Sequence, residues 1–457
     1  MHSWPAPTRI PGKPYRHPRR PPRREPRLPL LVRLACVLAL AGIGLASWAF
    51  WLSVQEFRDL SALRTEIEDS CQGLVDPDEV LRLNGGMPQH VRGSAYSRGF
   101  DTPGPLGLCR VHRTAEPGSL EQEFVLGIAS QPTPGSTTRI TDRSDREDFR
   151  HHFPDDPDVP HTSDGKPSAP RAGSTPPNPL GDGTLGHYDR RSATVYAVCR
   201  NPARTTGNVT SVRATARVRD KYPSPDDLAS LTRIAHRAAR RVADRAHCTP
   251  PPGAPPAQLA APESLFTPVT STPRTGTCGW YGRFVSARGR GAHPDLVLGA
   301  PTGSTPWTEQ CQLLVSVREG ARISARHALD HPAYRSRLAY IPYEERIRFS
   351  PWLVRAETRF GDETAGVFLD GLGIGLRREG AVAPGGAGRK GAGIWWASSV
   401  CGGRPALHTL TVPDPYDSVI QDGISPLFRA YVDDVARRHH CTGLKFPGPA
   451  DFRGSGS

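Results

Sequence analysis

Eight cysteines beyond residue 54, at positions 71, 109, 199, 248, 278, 311, 401 and 441, constrain this chain more than any other feature of its 457 residues. Cys109 and Cys199 are 90 residues apart, and so are Cys311 and Cys401, each displaced from its counterpart by 202 positions. The outer members drift, with 207 residues from Cys71 to Cys278 and 193 from Cys248 to Cys441, as changes in loop length allow. Zinc sites use cysteines about two to four residues apart, whereas the closest two of these eight are 30 apart. We therefore read all eight as disulfide cysteines in an oxidising compartment. Each half allows three connectivities. The pairing that pins a closing helix to a sheet joins Cys199 to Cys248 and Cys401 to Cys441, leaving Cys71 with Cys109 and Cys278 with Cys311. By loop-closure entropy, a bond closing the loop from Cys199 to Cys248 is worth roughly 4 kcal/mol, less any strain.

The residues around the cysteines repeat an order as well as an interval. "SATVYAVC" places Ala193, Val195, Ala197 and Cys199 on one face of a strand, and "VTSVRATARV" places Val212, Ala214, Ala216 and Val218 on one face of the next. Arg213, Thr215 and Arg217 lie opposite, so the pair reads as an antiparallel hairpin with one wet face. Ser224 can cap a following helix, Pro225 suits its first position, and Asp226 and Asp227 complement its dipole. Leu228, Leu231, Ala235, Ala238 and Val242 then recur at helical spacing up to Cys248. The second half repeats the order with "GIWWASSVC", "ALHTLTV", Ser425-Pro426 and a helix carrying Phe428, Tyr431, Val432 and Val435 up to Cys441. The expected fold class is α+β: two tandem, related domains, residues 71–248 and 278–441, each an antiparallel sheet with a C-terminal packed helix and two disulfides.

Ahead of them lies "LACVLALAGIGLASWAFWLSV", residues 34–54, with no charge over twenty-one positions. As a helix rising about 1.5 Å per residue it matches a bilayer's hydrocarbon core. Residues 1–33 hold nine Lys/Arg against Glu25 alone, and Trp48, Phe50 and Trp51 crowd the far end. The positive-inside bias puts the basic, disordered tail 1–33 in the cytoplasm and the rest outside, in the manner of a single-pass protein of the cell membrane. The competing reading is a cleaved signal peptide with "GLA" at 44–46 as its cleavage site. Residues 55–70 continue as a helical stalk, whose Phe57, Leu60, Leu63 and Ile67 form a stripe that either pairs two chains into a homodimer or rests on a domain.

Of the net charge of +13, the tail carries most, so the charge gives no case for a nucleic-acid partner. With 48 Pro and 46 Gly, much of the chain reads as loop. We expect a disordered insertion at about 141–185, a Pro-rich semi-extended linker at 249–277 and a disordered tail at 442–457. In "CQGLVDPDEVLRLNGG", Asp76 as cap, Pro77 and the stop at Gly85 predict a short helix. "CGWYGRF" shows no such pattern.

Chemistry-bearing motifs are sparse. No GxSxG, HExxH or GxxxxGK[ST] occurs. Gly371, Gly373 and Gly375 imitate a dinucleotide fingerprint, yet Leu372, Ile374 and Leu376 alternate as in a strand. His151, His152, Asp155, Asp156, Asp158 and His161 could hold a divalent ion, but they fall in the expected disordered insertion. Trp280 and Tyr281 beside Cys278, and Trp395 and Trp396 beside Cys401, read either as core aromatics or as the faces of a ligand groove. No catalytic residue, cofactor or metal site is assigned. The layout resembles actinobacterial membrane-anchored envelope proteins, "CQGLVDPDEVLRLNGG" resembles the opening of secreted actinobacterial lipoproteins, and residues 193–248 are similar in outline to sensor domains of mycobacterial Ser/Thr kinases. These resemblances imply a binding, sensing or interaction module with an envelope ligand or protein partner. The alternative is an extracytoplasmic enzyme with an unrecognised active site.

Overall fold

The structure, a computed structural model, describes residues 30–83, 92–98, 106–114, 122–131, 138–141, 175–199, 209–218, 222–271, 275–316, 319–320, 322–323, 353–364, 367–370, 385–390, 393–412 and 416–452. It is a mixed helix and sheet protein that divides into two compact units, residues 1–58 and 59–457. Helix α1 (Leu30–Ser70) is long and apolar enough to cross a membrane. Its large apolar side chains from Leu34 to Leu52, and Phe57, are exposed. Within the second unit, Leu63 and Ile67 from the last turns of α1 are buried in a core. Of the two uses foreseen for the 55–70 stripe, these residues therefore take the intramolecular one.

Helix α2 (Pro77–Arg82) starts where Asp76 caps it, the carboxylate accepting from the Asp78 amide at 3.0 Å. Eight strands follow: β1 (Arg92–Arg98), β2 (Leu106–Thr114), β3 (Gln122–Gln131), β4 (Thr138–Thr141), β5 (Asn178–Pro179), β6 (Gly186–Tyr188), β7 (Ser192–Val198) and β8 (Ser211–Val218). Helix α3 (Pro225–Arg245) opens on a full capping box between Ser224 and Asp227 and buries Leu228, Leu231, Ala235 and Ala238. After it come β9 (Thr267–Pro268), helix α4 (Gly279–Arg288), β10 (Leu296–Leu298), β11 (Thr308–Leu314), β12 (Leu353–Phe360), β13 (Val367–Asp370), β14 (Ala387–Lys390), β15 (Ile394–Cys401), β16 (Arg404–Thr411), helix α5 (Gln421–Arg438) and β17 (Cys441–Thr442).

Two antiparallel sheets carry the structure. The first has the order β1-β2-β3-β8-β7-β6-β5 and the second, read from its other edge, β9-β10-β11-β12-β16-β15-β14, with β17 on β15. Their rungs coincide from the cysteines outward. Cys109 faces Leu126, Leu126 faces Ala216, and Ala216 faces Ala193, six residues before Cys199. Cys311 faces Ala356, Ala356 faces Leu410, and Leu410 faces Trp395, six residues before Cys401. Both closing helices end alike. His247 (φ 57°) and His440 (φ 52°) take the left-handed conformation immediately before Cys248 and Cys441. At the first, the Cys248 amide returns to the Ala243 carbonyl at 2.8 Å, satisfying a helix-end acceptor.

Several expectations need correction. Residues 175–185 of the expected insertion are ordered: Leu180 and Leu185 are buried and the Arg190 amide donates to Thr175 Oγ1 at 3.0 Å. The Pro-rich stretch, described over 249–271 and 275–277, is anchored at intervals rather than free, because its prolines hold an extended path from which single residues reach the sheets. Leu259 packs on the first core, the Tyr188 hydroxyl donates to the Ala260 carbonyl at 3.2 Å, Phe266 is buried beside Leu298, and Thr267–Pro268 pairs with β10. "CGWYGRF" forms α4 without a side-chain cap, since Trp280, Tyr281 and Phe284 bury one face. Helix α5 begins at Gln421, not at Ser425-Pro426; Pro426 lies inside it, and the hydrogen bond it omits falls on the carbonyl of the exposed Asp422. The tail folds back as far as Phe452, which stacks on Trp395 with centroids 6.3 Å apart, while Trp395 Nε1 donates to the Asp451 carbonyl at 3.0 Å. Finally, the face of β7 and β8 read as wet is covered in part: Thr194 and Tyr196 are buried and Arg213 and Thr215 half-buried, while Arg217 is exposed. One further pair, β4 with β13, is parallel and joins the two halves.

Candidate functional site

Among the described residues, three polar groupings stand in or between the cores. The first crosses the second core. Thr358 on β12, His408 on β16 and Ser399 on β15 point inward from neighbouring strands, and Tyr431 comes from α5. His408 Nδ1 lies 2.9 Å from Thr358 Oγ1 and Nε2 lies 2.8 Å from Ser399 Oγ; the Tyr431 hydroxyl is 2.5 Å from Thr358 Oγ1, and Ser399 Oγ is 3.3 Å from Cys401 Sγ. Donors running from Tyr431 to Thr358, to His408 and through Ser399 to the sulfur give every hydroxyl in the line an acceptor. A serine hydroxyl on an imidazole is the geometry of a nucleophile and its base. Here, however, Thr358 stands where an orienting carboxylate would, and Ser399, His408 and Thr358 are 0% exposed. Burial, with His439 nearby, holds His408 down to about 3, which makes it a poor base. With the Cys401–Cys441 bond closed, solvent and substrate do not reach this pair.

The second grouping fastens α5. Glu309 on β11 is buried and meets His439 Nε2 at 3.0 Å and Arg438 Nη2 at 2.8 Å. Asp434, also buried, takes Arg437 at 2.6 Å, Arg438 at 2.9 Å and Arg283 from α4. Burial pushes the Glu309 carboxyl up, but the His439 hydrogen bond and the Arg438 charge outweigh it and hold the group below its ordinary value.

The third joins the two halves. Tyr196 on β7 stacks on Trp307 with ring centroids 4.1 Å apart and planes within 11°. Trp307 Nε1 donates to the Thr184 carbonyl at 2.9 Å, the Thr305 amide donates to the Asp182 carbonyl at 3.2 Å, and Arg213 Nη1 meets Glu363 Oε1 at 2.9 Å. Arg359 reaches Glu363 at 3.5 Å and Glu357 at 2.5 Å. Gly183 has φ 97° and Pro306 packs where its Cβ would be, so only glycine suits this approach. Burial raises the Glu363 carboxyl, but Arg213 and Arg359 hold it below its ordinary value. Burial pushes the Tyr196 phenol well up, with Glu363 adding to it, and holds His187 down to about 4. A stacked aromatic pair with a shielded ion-pair network is a joint between sheets, with no exposed nucleophile.

The eight cysteines form Cys71–Cys109, Cys199–Cys248, Cys278–Cys311 and Cys401–Cys441, while Cys36 is free and exposed. Trp280, Tyr281 and Trp395 lie in the core at 2% exposure or less, which leaves no ligand face on those three rings, while Trp396 is half-buried. The clusters at 151–161 and 371–376 lie outside the described residues. Sequence reasoning missed the joint and the His408 line. Tyr196 and Arg213 sat on the supposed wet face, and a buried tyrosine stacking partner leaves no spacing signal; "ALHTLTV" did carry the histidine on an otherwise apolar strand.

No family model, curated protein or solved structure matches the chain. Function therefore rests on the geometry alone.

Proposed function

We propose that the chain is a single-pass membrane protein, N-terminus cytoplasmic, whose two tandem, related domains work outside the cytoplasm as a binding or interaction module, in an actinobacterial envelope as the resemblances imply. One observation carries the reading. The large apolar side chains of α1 from Leu34 to Leu52 stand 41% exposed or more, although Leu63 and Ile67 of the same helix are buried. Such a band is stable only against an apolar surround. Four disulfides beyond it agree with an oxidising compartment. Common descent of the domains is supported by the shared strand order, by rungs that coincide from cysteine to cysteine, and by the left-handed histidine before each closing cysteine. The burial of the Ser399–His408 pair argues against a catalytic use of those groups.

Membrane fractionation combined with external protease tests the proposal. The protein should resist alkaline extraction, and protease added outside spheroplasts should remove residues beyond about 59 while sparing an N-terminal fragment. A released protein beginning near residue 47 would overturn the anchor in favour of a cleaved signal.

A further inference from the structure

The line through His408 has no counterpart in the first half. Counting along the matched rungs and back from the closing cysteines, Thr358, Ser399, His408 and Tyr431 occupy the places of Ile128, Ala197, Ala214 and Ala238. All four of those are buried and apolar, with Cys199–Cys248 beside them. This kind of disulfide-pinned sheet is thus built without the histidine, and its presence in the second half calls for another reason. Its surroundings supply one. The imidazole of His408 and the sulfurs of Cys401 and Cys441 have ligand atoms all within 4.8 Å of one another, the only such set of three among the described residues.

We propose that the Cys401–Cys441 disulfide is one state of a redox-gated zinc site, whose other state holds Zn(II) on the Cys401 and Cys441 thiolates and His408 Nε2. The chemistry balances with a dithiol as reductant. The dithiol gives two electrons and two protons to the disulfide, becomes a cyclic disulfide itself and leaves two thiols; Zn(II) then displaces the two thiol protons to solvent. Two thiolates neutralise the metal charge, so a buried site gains no net charge. Tetrahedral zinc with sulfurs at about 2.3 Å separates them by about 3.8 Å, a spacing that side-chain rotation allows for two residues facing each other on paired strands. Ligand histidines generally donate their second ring nitrogen to an oxygen that fixes the tautomer. Thr358 Oγ1 lies at Nδ1 with Tyr431 behind it; in the metal state the line reverses, Nδ1–H donating to Thr358 and Thr358 to Tyr431. Ser399 Oγ, touching both Nε2 and Cys401 Sγ, is placed for the fourth position. Cys441 is partly exposed, which gives reductant and metal a way in, whereas Cys401 is 2% exposed.

The test uses the full chain in detergent, reduced by a mild dithiol under anaerobic conditions, with alkylation mapping of the opened bond and cobalt(II) as the probe. Wild type should bind one equivalent, show thiolate-to-cobalt charge-transfer absorption, and release the metal to zinc. His408→Ala, which puts in the residue found at position 214, should weaken binding at least tenfold, and His408→Asn, which keeps hydrogen-bonding groups but not the imidazole, should do the same. Thr358→Val should cost about tenfold. The double substitution of Cys401 and Cys441 by Ser should abolish the absorption. Binding unaffected by either His408 variant, no binding above the Ser variant, or loss of native circular dichroism on opening Cys401–Cys441 would overturn the proposal.

Discussion

Glu363 shows how much a single side chain can hold. Its carboxylate is buried between Arg213 and Arg359, and removing one member of a buried pair strands the other charge, typically at about 3–5 kcal/mol. Glu363→Leu should therefore lower the unfolding free energy by that much, whereas Arg213→Met with Glu363→Leu should recover a large part of it in denaturant titrations. A double variant no better than the single one would contradict the pairing. His187 and His293 make a second prediction. Burial holds both down to about 4, so they are neutral in the native protein. The unfolded chain, with ordinary histidines near pH 6.5, binds more protons below that pH. Their contribution is complete above about pH 6.5 and is lost as the pH falls towards 4, at up to roughly 1.4 kcal/mol per pH unit for each group. Urea midpoints should fall across that window, and His293→Gln should flatten the slope.

At the scale of elements, α3 shows local rules and packing in agreement. The Ser224 hydroxyl accepts from the Asp227 amide at 3.1 Å while the Asp227 carboxylate takes the Ser224 amide, also at 3.1 Å. Ser224→Ala should cost about 1 kcal/mol, read as a shift in the denaturation midpoint; an unchanged midpoint would mean that burial of the helix face alone sets its start. Helix α5 shows the two in conflict. A Ser-Pro pair is a sound local start signal, yet Ile424 is buried ahead of it and the helix begins five residues before Pro426. The same logic hid α4, whose glycines and aromatics are weak helix formers but whose aromatic face fills the second core. Hairpins and closing helices were thus legible from period and capping, whereas elements formed by what they pack against were not.

Residues 59–457 behave as one compact unit although two sheets and two main cores lie within it. The Tyr196–Trp307 stack is central to that coupling. Trp307→Ala should cost about 3–5 kcal/mol and convert one calorimetric transition into two, while a single transition at a lower temperature would mean that the strap around Phe266 and the β4–β13 pair couple the halves unaided. The sequence alone determined the apolar span, the disulfide cysteines, the strand and helix order around them and the absence of familiar catalytic motifs, because each is written in nearest-neighbour chemistry or in fixed spacing along the chain. Only the tertiary structure decided that the Pro-rich strap and the C-terminal tail pack, that the supposed wet face is a joint, and that His408 meets Ser399, Thr358 and the Cys401–Cys441 bond. Those contacts join residues as far as 150 positions apart, as between Arg213 and Glu363, and their energy comes from desolvation and shape at the meeting point, on which no local pattern bears.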